Sequence, residues 1–526
     1  MSPAIGKCVL AALLLYSLYF FGLTSAGLTG PDEPRYASIG REMARSGDWV
    51  TPRLWDAPWF EKPALLYWMV GAAFLLGAGD DLAPRLPVAL LSVAFLAFFF
   101  WIVRREFPPG CAWPATAILA TCAGWLTYSQ ACATDLPMSA AFAAGMLLSL
   151  PWIAKGETKH LPWAGACFGL AVLGKGLVPL ALAAPLAWFA VKRPRDWWKP
   201  ALTFLLVAAP WYVLCTRANG RAFLDDFFLK HHLERFTSDA IQHVQPFWFY
   251  VPVLLLGLFP WSPGLALLAR RINWTDPRRR LLVLWLAWGF VFFSASTNKL
   301  PGYLLPLLPA AAVLIALGLA ESPRPQRWLA ASAALLFFTP LVIQALPQAL
   351  EEGLSRASLN PRLLLYGIPA LLLAAGIPWL DRRGALACAV AATALAIIGL
   401  KVVALPEVDA HVSARPLWKQ LAPHRSDTCV EDIHRAWRYG LNYYSVTPLP
   451  DCKDLPRDWH VVQSPPRQPT LVRVISGQPA KIGGQAPLST RPASRVPRLG
   501  TEEPVPDFHF YRTRSFRIVS EWAGKV

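Results

Sequence analysis

Charge is what this chain has little of. Of 526 residues, 50 are Lys or Arg and 33 are Asp or Glu, so 16% are charged against 55% hydrophobic. A soluble chain of this size carries roughly a quarter of its residues charged. The shortage excludes a disordered chain, a coiled coil and an ordinary cytosolic enzyme. A P-loop is also missing, which argues against ATP-driven transport by this chain alone. Internal repeats and low-complexity tracts are absent, so the halves-related plan of many transporters has no support. Cysteine is sparse outside apolar runs. Seven of the nine lie in or beside such runs, where they act as small hydrophobes.

What is present is a series of apolar stretches, near 7–29, 63–79, 84–103, 112–131, 136–154, 161–174, 176–191, 200–216, 247–269, 281–297, 301–320, 326–347, 361–380 and 384–405. A spanning helix needs about 20 mostly apolar residues. Cations cluster in the short loops at Arg104-Arg105, Lys155 to Lys159, Lys192 to Lys199, Arg270 to Arg280, Arg324 to Arg327 and Arg382-Arg383. The positive-inside rule makes these loops cytoplasmic. The same placement removes nucleic acid as the partner implied by the net charge of +17. The alternation holds from 84 to 405 only if 63–79 does not cross. Its Tyr67, Trp68 and glycines suit a helix in the outer interface.

The sequence thus predicts an all-α polytopic membrane protein with about 13 transmembrane helices plus interfacial helices. The N-terminus is inside and a soluble tail, 406–526, is outside. The first run, with Lys7 before it and small residues after it, also has features of a cleaved signal. Its length and the inside start demanded by later charges favour a span. The transmembrane part, 1–405, carries two polar outside loops, 30–83 and 217–246. The tail has the size of a small mixed α/β domain, with 464–500 reading as a long loop. Its two cysteines, Cys429 and Cys452, face an oxidising compartment and invite a disulfide.

The chemistry concentrates in the outside loops. TGPDEPRYASIGREMARSGDWVTPRLWDAPWFEKP places Asp32 and Glu33 just after a span, with Pro34 in a first helical turn and Gly47 at its end. Either acid could simply cap that helix. Asp135, in ACATDLPM, stands at the same boundary and could cap the helix that follows. Paired carboxylates also do general-base work or stabilise positive charge on a sugar ring. Five cations share the face: Arg35, Lys62, Lys175, Arg235 and Lys299. Each alone would pass for an anchor that snorkels to headgroups. Beside the acids they suit an anionic lipid. Tyr303, in NKLPGYLLP, starts a span and belongs either to the aromatic belt or to the substrate cavity. Glu61 and His232 are a candidate pair of divalent-metal ligands, though without chelate spacing. The sequence demands no other cofactor. His231, His232 and His243 also read as ordinary hydrogen-bonded histidines, a reading that stands ahead of the metal.

At these residues the chain resembles the bacterial lipid A 4-amino-4-deoxy-L-arabinose transferases. These belong with the protein O-mannosyltransferase group of polyprenyl-phosphate-dependent glycosyltransferases. PDEPRYASIGREMARSGDWVTP, WFEKP, ATDLPM, the GKG turn at 174–176, HLERF, QHVQPFWFYVP and NKLPGYLLP occur in the family's order between about 30 and 306. The resemblance implies a type C glycosyltransferase fold. It implies a sugar taken from an undecaprenyl-phosphate-type donor, with inversion, at the outer face of the inner membrane. Lipid A or another envelope glycan would be the acceptor. Asp32 would be the principal carboxylate, with Glu33 and Asp135 as companions. Arg35, Lys62 and Arg235 would hold the donor phosphate, and Lys175, Lys299 and Tyr303 would line the cavity. Two positions depart from the pattern. Gly302 stands where Thr is expected, and His231 precedes His232 in place of an acid. Both bear on the sugar and acceptor rather than on the carrier. The competing readings are a protein O-glycosyltransferase, a flippase of polyprenyl-linked lipids, and a receptor with an outside sensor domain. The last explains the tail but not the DEPR and FEKP segments.

Overall fold

The computed structural model describes residues 3–227, 245–268, 274–464 and 467–474. Among them, seven helices are long and apolar enough to cross a membrane: Leu86–Glu106, Asp135–Lys155, Pro194–Phe227, Pro301–Glu321, Pro325–Glu352, Pro361–Trp379 and Arg382–Val412. Shorter apolar helices include Val9–Phe20, Leu161–Lys175 and Phe247–Gly257. Asp135–Lys155 and Pro301–Glu321 are almost enclosed, whereas Pro194–Phe227 and Arg382–Val412 present most of their surface outward. The enclosed pair forms the centre of the bundle, and the outer helices have faces fit for lipid.

Small residues set the closest approaches. On Leu161–Lys175, Gly165 faces the Pro200 carbonyl and Gly169 faces Val207 and the Phe204 carbonyl, leaving no room for a Cβ. This small-xxx-small spacing lets the backbones of two helices touch where lipid gives no hydrophobic drive. Lys401, inside an apolar helix, donates to the carbonyls of Leu18 (2.6 Å) and Phe21 (2.9 Å). It closes the open end of the first helix, which accounts for an intramembrane ammonium.

The cationic loops converge on one end of the bundle. Arg105 reaches Glu157 at 3.3 Å, Arg278 reaches Glu106 at 3.4 Å, Arg279 pairs with Glu321, and Arg382 donates to Ser322 O at 3.2 Å. Loops expected on one side are thus neighbours in space. The 30–83 segment and the described residues after 412 occupy the other end.

There, Asp32–Ser46 forms a helix closed by Gly47 in the left-handed conformation, with φ 72°. A minimal hairpin follows, Arg53–Leu54 against Ala57–Pro58. The next helix, Leu65–Leu75, has 11 residues, a length of about 16 Å, too short to cross a hydrocarbon core of about 30 Å. It packs on the Asp32–Ser46 helix, with Val70 against Gly40 and Gly71 against the Gly40 carbonyl. The expectation that 63–79 does not cross agrees with this. The last long helix passes Pro406 and runs to Val412, seven residues beyond the boundary drawn at 405. Its polar final turns find partners: Asp409 accepts from Gly27 N at 2.7 Å and pairs with Arg415 at 2.8 Å.

The tail forms a mixed unit. Thr428–Val430 runs parallel to Trp459–Val462, which pairs antiparallel with Thr470–Arg473. A parallel pair needs a crossover, here supplied by the helix Arg435–Ser445. Leu417, Leu421, Val430, Leu441, Leu449 and Val461 make its core. Cys429 is disulfide-bonded to Cys452. Within the loop anticipated over 464–500, Thr470–Arg473 is instead the third strand, drawn into the sheet by its pairing with Trp459–Val462, and the residues from 475 on lie outside the described residues.

Candidate active site

Asp32 and Glu33 are consecutive, so on a helix they point about 100° apart. Glu33 points inward. Its side chain is buried, and both oxygens are engaged by Arg85: Nε to Oε1 at 3.0 Å and Nη2 to Oε2 at 2.7 Å. Cys132 N gives Oε1 a further bond of 2.8 Å, and Thr29 N and Oγ1 give Oε2 bonds of 2.9 and 3.1 Å. Burial works to raise this carboxyl, but the Arg85 charge and these donors outweigh it and hold it below its usual range. With its accepting capacity used up, Glu33 is a structural tie between the loop, the start of Leu86–Glu106 and Cys132.

Asp32 points the other way. Its side chain is 56% exposed and accepts from Arg35 Nη2 at 2.6 Å. The helix cap is Pro31, and no side chain caps it, so Asp32 is not held by a capping bond. Arg35 is buried and also pairs with Glu61 Oε2 at 3.0 Å. Glu61 Oε1 in turn pairs with Lys62 Nζ at 3.0 Å. Aromatic rings of Tyr36, Trp59 and Tyr439 lie 5.3, 5.5 and 5.7 Å from the Arg35 guanidinium. Asp32, Arg35, Glu61 and Lys62 form one chain of alternating charge with no net charge. The Asp–x–x–Arg step follows from i, i+3 spacing on the helix.

Both oxygens of Glu61 thus face cations 3.0 Å away. Among the described residues this carboxylate meets two positive groups. Its expected co-ligand His232 lies outside the described residues, as do His231, His243 and Arg235. Among the described residues one cluster has metal-ligand spacing, Cys429, Cys452 and His460. Its sulfurs are bonded to each other, so it supplies no thiolate.

A second acid–base pair stands on the neighbouring helices. Asp135 is the first residue of Asp135–Leu148 and makes no cap bond. Its Oδ1 accepts from Lys175 Nζ at 2.6 Å, and the ammonium lies 4.8 Å from the Tyr303 ring centroid. The helix Leu161–Lys175 ends at Gly176, which presents Lys175 at this point. Gly302 lies against the group. A Cβ there would be 2.5 Å from Asp135 Oδ1 and 2.6 Å from the Tyr128 hydroxyl.

Lys299 was expected to line the cavity. It is buried, and its ammonium donates to Gln245 O at 3.0 Å and to Ser296 O. Two of its three N–H groups are thus taken up by backbone carbonyls, one of them in the segment leading to Tyr303.

The sequence reading missed Arg85, Tyr128, Trp59 and Tyr439. Arg85 had a usable signal: a lone cation at the outer end of a span, against the charge rule, asks for a buried acid. Tyr439 had none, since its contacts cross about 400 residues of sequence.

The family model of dolichyl-phosphate-mannose-protein mannosyltransferases matches residues 61–216. The undecaprenyl phosphate-alpha-4-amino-4-deoxy-L-arabinose arabinosyl transferase 2 of Proteus mirabilis is 31% identical over 325 residues, 59% of this chain and 58% of that one. The corresponding transferase 2 of Pseudomonas fluorescens is 34% identical over 319 residues, 56% and 53% of the two chains. The matched region thus spans a little over half the length of these relatives. Two crystal structures share the fold. ArnT from Cupriavidus metallidurans bound to undecaprenyl phosphate gives a TM-score of 0.70 at 24% identity, covering 90% of this chain and 99% of that one. The apo form gives 0.68 at 25% identity, covering 88% and 87%. In sequence the chain is similar to the undecaprenyl phosphate aminoarabinose transferases, and in fold it is ArnT-like.

Proposed function

We propose that this chain is a membrane glycosyltransferase. It takes a sugar from an undecaprenyl-phosphate-type carrier and passes it to lipid A or another envelope glycan. The reaction is placed at the outer face of the inner membrane, with the N-terminus cytoplasmic and the chain after 412 outside. The observation that carries the reading is the charge-alternating group Asp32–Arg35–Glu61–Lys62, with one exposed carboxylate and two buried cations. The relatives' names supply the sugar, 4-amino-4-deoxy-L-arabinose.

In this reading the donor phosphate competes with Glu61 and Asp32 for Arg35 and Lys62. The C1–O bond to phosphate breaks and its electron pair stays on the carrier phosphate, where the cations stabilise the gathering charge. An acceptor oxygen forms the new bond to C1 from the opposite side, inverting the centre. When the acceptor is a hydroxyl, Asp32 takes its proton. When it is a phosphate, already ionised, Asp32 orients it or stabilises the oxocarbenium-like ring. Asp135 with Lys175 and Tyr303 forms the second wall.

The test uses purified protein in proteoliposomes with a total lipid extract from the native cells. Mass spectrometry follows lipid A and other glycans for a gained sugar mass as the polyprenyl-phosphate-sugar declines. Transfer by wild type and none by a folded Asp32→Asn variant is expected. Equal transfer by both would remove Asp32 from the chemistry. A folded wild type that moves no sugar to any acceptor would remove the transferase reading.

A further inference from the structure

The hairpin between the loop helix and the FEKP segment has a two-residue turn, Trp55-Asp56. Both residues have positive φ, 52° and 67°. Such a turn ordinarily calls for Asn-Gly or Asp-Gly, because L side chains crowd the backbone there. Bulky residues are held in the left-handed region only when surrounding contacts over-determine them, and such positions gather at functional sites. Two local bonds hold Asp56, from Arg53 Nη1 to its carbonyl at 3.2 Å and from its N–H to Glu42 Oε1 at 3.3 Å, and a further contact comes from the distant C-terminal unit. The Trp55 ring lies 5.6 Å from that of Tyr439, on the crossover helix Arg435–Ser445. The Tyr439 ring in turn lies 5.7 Å from the Arg35 guanidinium. Among the described residues Arg35 Nε has no hydrogen-bond partner and is buried.

The crossover helix is firmly seated beside this point. Arg41 donates to Tyr443 O at 2.6 Å, Tyr443 OH donates to Asp80 O at 2.6 Å, and Tyr444 OH bonds Asp81 at 2.9 Å. Tyr439 therefore has a fixed base from which to press on Arg35. Without that ring, one side of the guanidinium would lose its wall. Arg35 could then leave the line joining Asp32 and Glu61.

We infer that Tyr439 is a positioning residue for the phosphate-binding cations: braced by Trp55, it holds Arg35 in the orientation a lipid phosphate meets. The C-terminal unit is then a working part of the site and not only a packing module. The inference rests on the transferase reading, because it takes Arg35 as a donor-phosphate ligand.

The test measures undecaprenyl phosphate binding to the detergent-purified full chain by quenching of tryptophan fluorescence, alongside transfer kinetics. Tyr439→Leu removes the ring face, whereas Tyr439→Phe keeps it. One cation–π contact predicts about fivefold weaker binding for Leu and wild-type binding for Phe. The KM for the donor should rise in step for Leu while kcat stays within about twofold. Tyr439→Leu is also made in an Asp56→Gly background, where the turn glycine relieves the left-handed strain and offsets lost docking. Unchanged binding by a folded Leu variant, or equal weakening in Leu and Phe, would overturn the inference and leave the transferase reading standing. A wild type that binds no undecaprenyl phosphate would overturn both.

Discussion

Replacing Glu33 by Gln separates structure from chemistry at the DEPR motif. Every donor around Glu33 points at an oxygen. Oε1 accepts from Arg85 Nε and Cys132 N, and Oε2 accepts from Arg85 Nη2 and both groups of Thr29. An amide NH2 in either place meets donors head-on, and Arg85 is left buried without its counter-charge. Removing one partner of a buried pair costs about 3–5 kcal/mol. At 3 kcal/mol the ratio of folded to unfolded protein falls by roughly a hundredfold. Helical membrane proteins commonly inactivate irreversibly, so the useful assay is a half-life: survival of the monodisperse chromatographic peak after heating at fixed temperature. Glu33→Gln should decay far faster than wild type, while the molecules that survive keep measurable transfer, reduced by the loosened hold on the Asp32–Ser46 helix. Asp32→Asn, changing an exposed side chain, should decay as wild type does and transfer nothing. A Glu33→Gln protein with a wild-type half-life and no activity would refute the structural assignment and return Glu33 to the chemistry.

The same group predicts an acid limit. Its folded pKa lies below the unfolded value, so its contribution is complete above the unfolded value of about 4.3 and is lost as pH falls through the folded one. Half-lives should therefore be flat in this respect from pH 5 to 8 and shorten below about pH 4, with Glu33→Gln lacking that step. Gly302→Ala puts a methyl group against Asp135 and Tyr128; transfer should drop at least tenfold while the heating half-life changes little, and unaltered transfer would show that the contact is slack. Cys429 and Cys452 close a loop with a separation of 23 residues, a constraint of about 3 kcal/mol on the C-terminal unit. The Cys429→Ser/Cys452→Ser double variant should become protease-sensitive in that unit before the bundle does, as limited proteolysis would read out.

The bundle was largely legible because its signals are collective. Charge alternation over 84–405 draws on many loops, so no single residue decides it, and the structure brings those loops together through Arg105, Arg278, Arg279 and Arg382. The same sum set Leu65–Leu75 apart, since counting it as a span would put Arg104 on the other side, and its 11 residues make it short for a crossing. The Cys429–Cys452 pairing followed from compartment and number alone. Lys299 shows where such reasoning stops. A lysine at a boundary reads identically whether its ammonium meets a phosphate or, as here, two backbone carbonyls. Only the fold of the 296–300 segment distinguishes these cases.

The pair Asp32-Glu33 shows the limit more sharply. Both are carboxylates in the first turn of one helix, both fit the helix dipole, and both suit a motif read as catalytic. Local sequence assigns them the same role. The 100° between consecutive helical residues guarantees that they cannot share one. Which of them faces inward is fixed by Arg85, more than 50 residues later, at the start of the next long apolar helix. A buried arginine requires a buried acid, and the carboxylate it does not take is free to face the cavity. Arg85 therefore assigns Asp32 its exposure indirectly, by fixing the rotation of the Asp32–Ser46 helix. The same rotation brings Arg35 onto the Asp32 side and toward Glu61 and Tyr439. An Arg85→Met variant should consequently impair Asp32 chemistry without touching Asp32. In proteins folded well enough to purify, its loss of transfer should exceed its loss of undecaprenyl phosphate binding, because Lys62 remains in place.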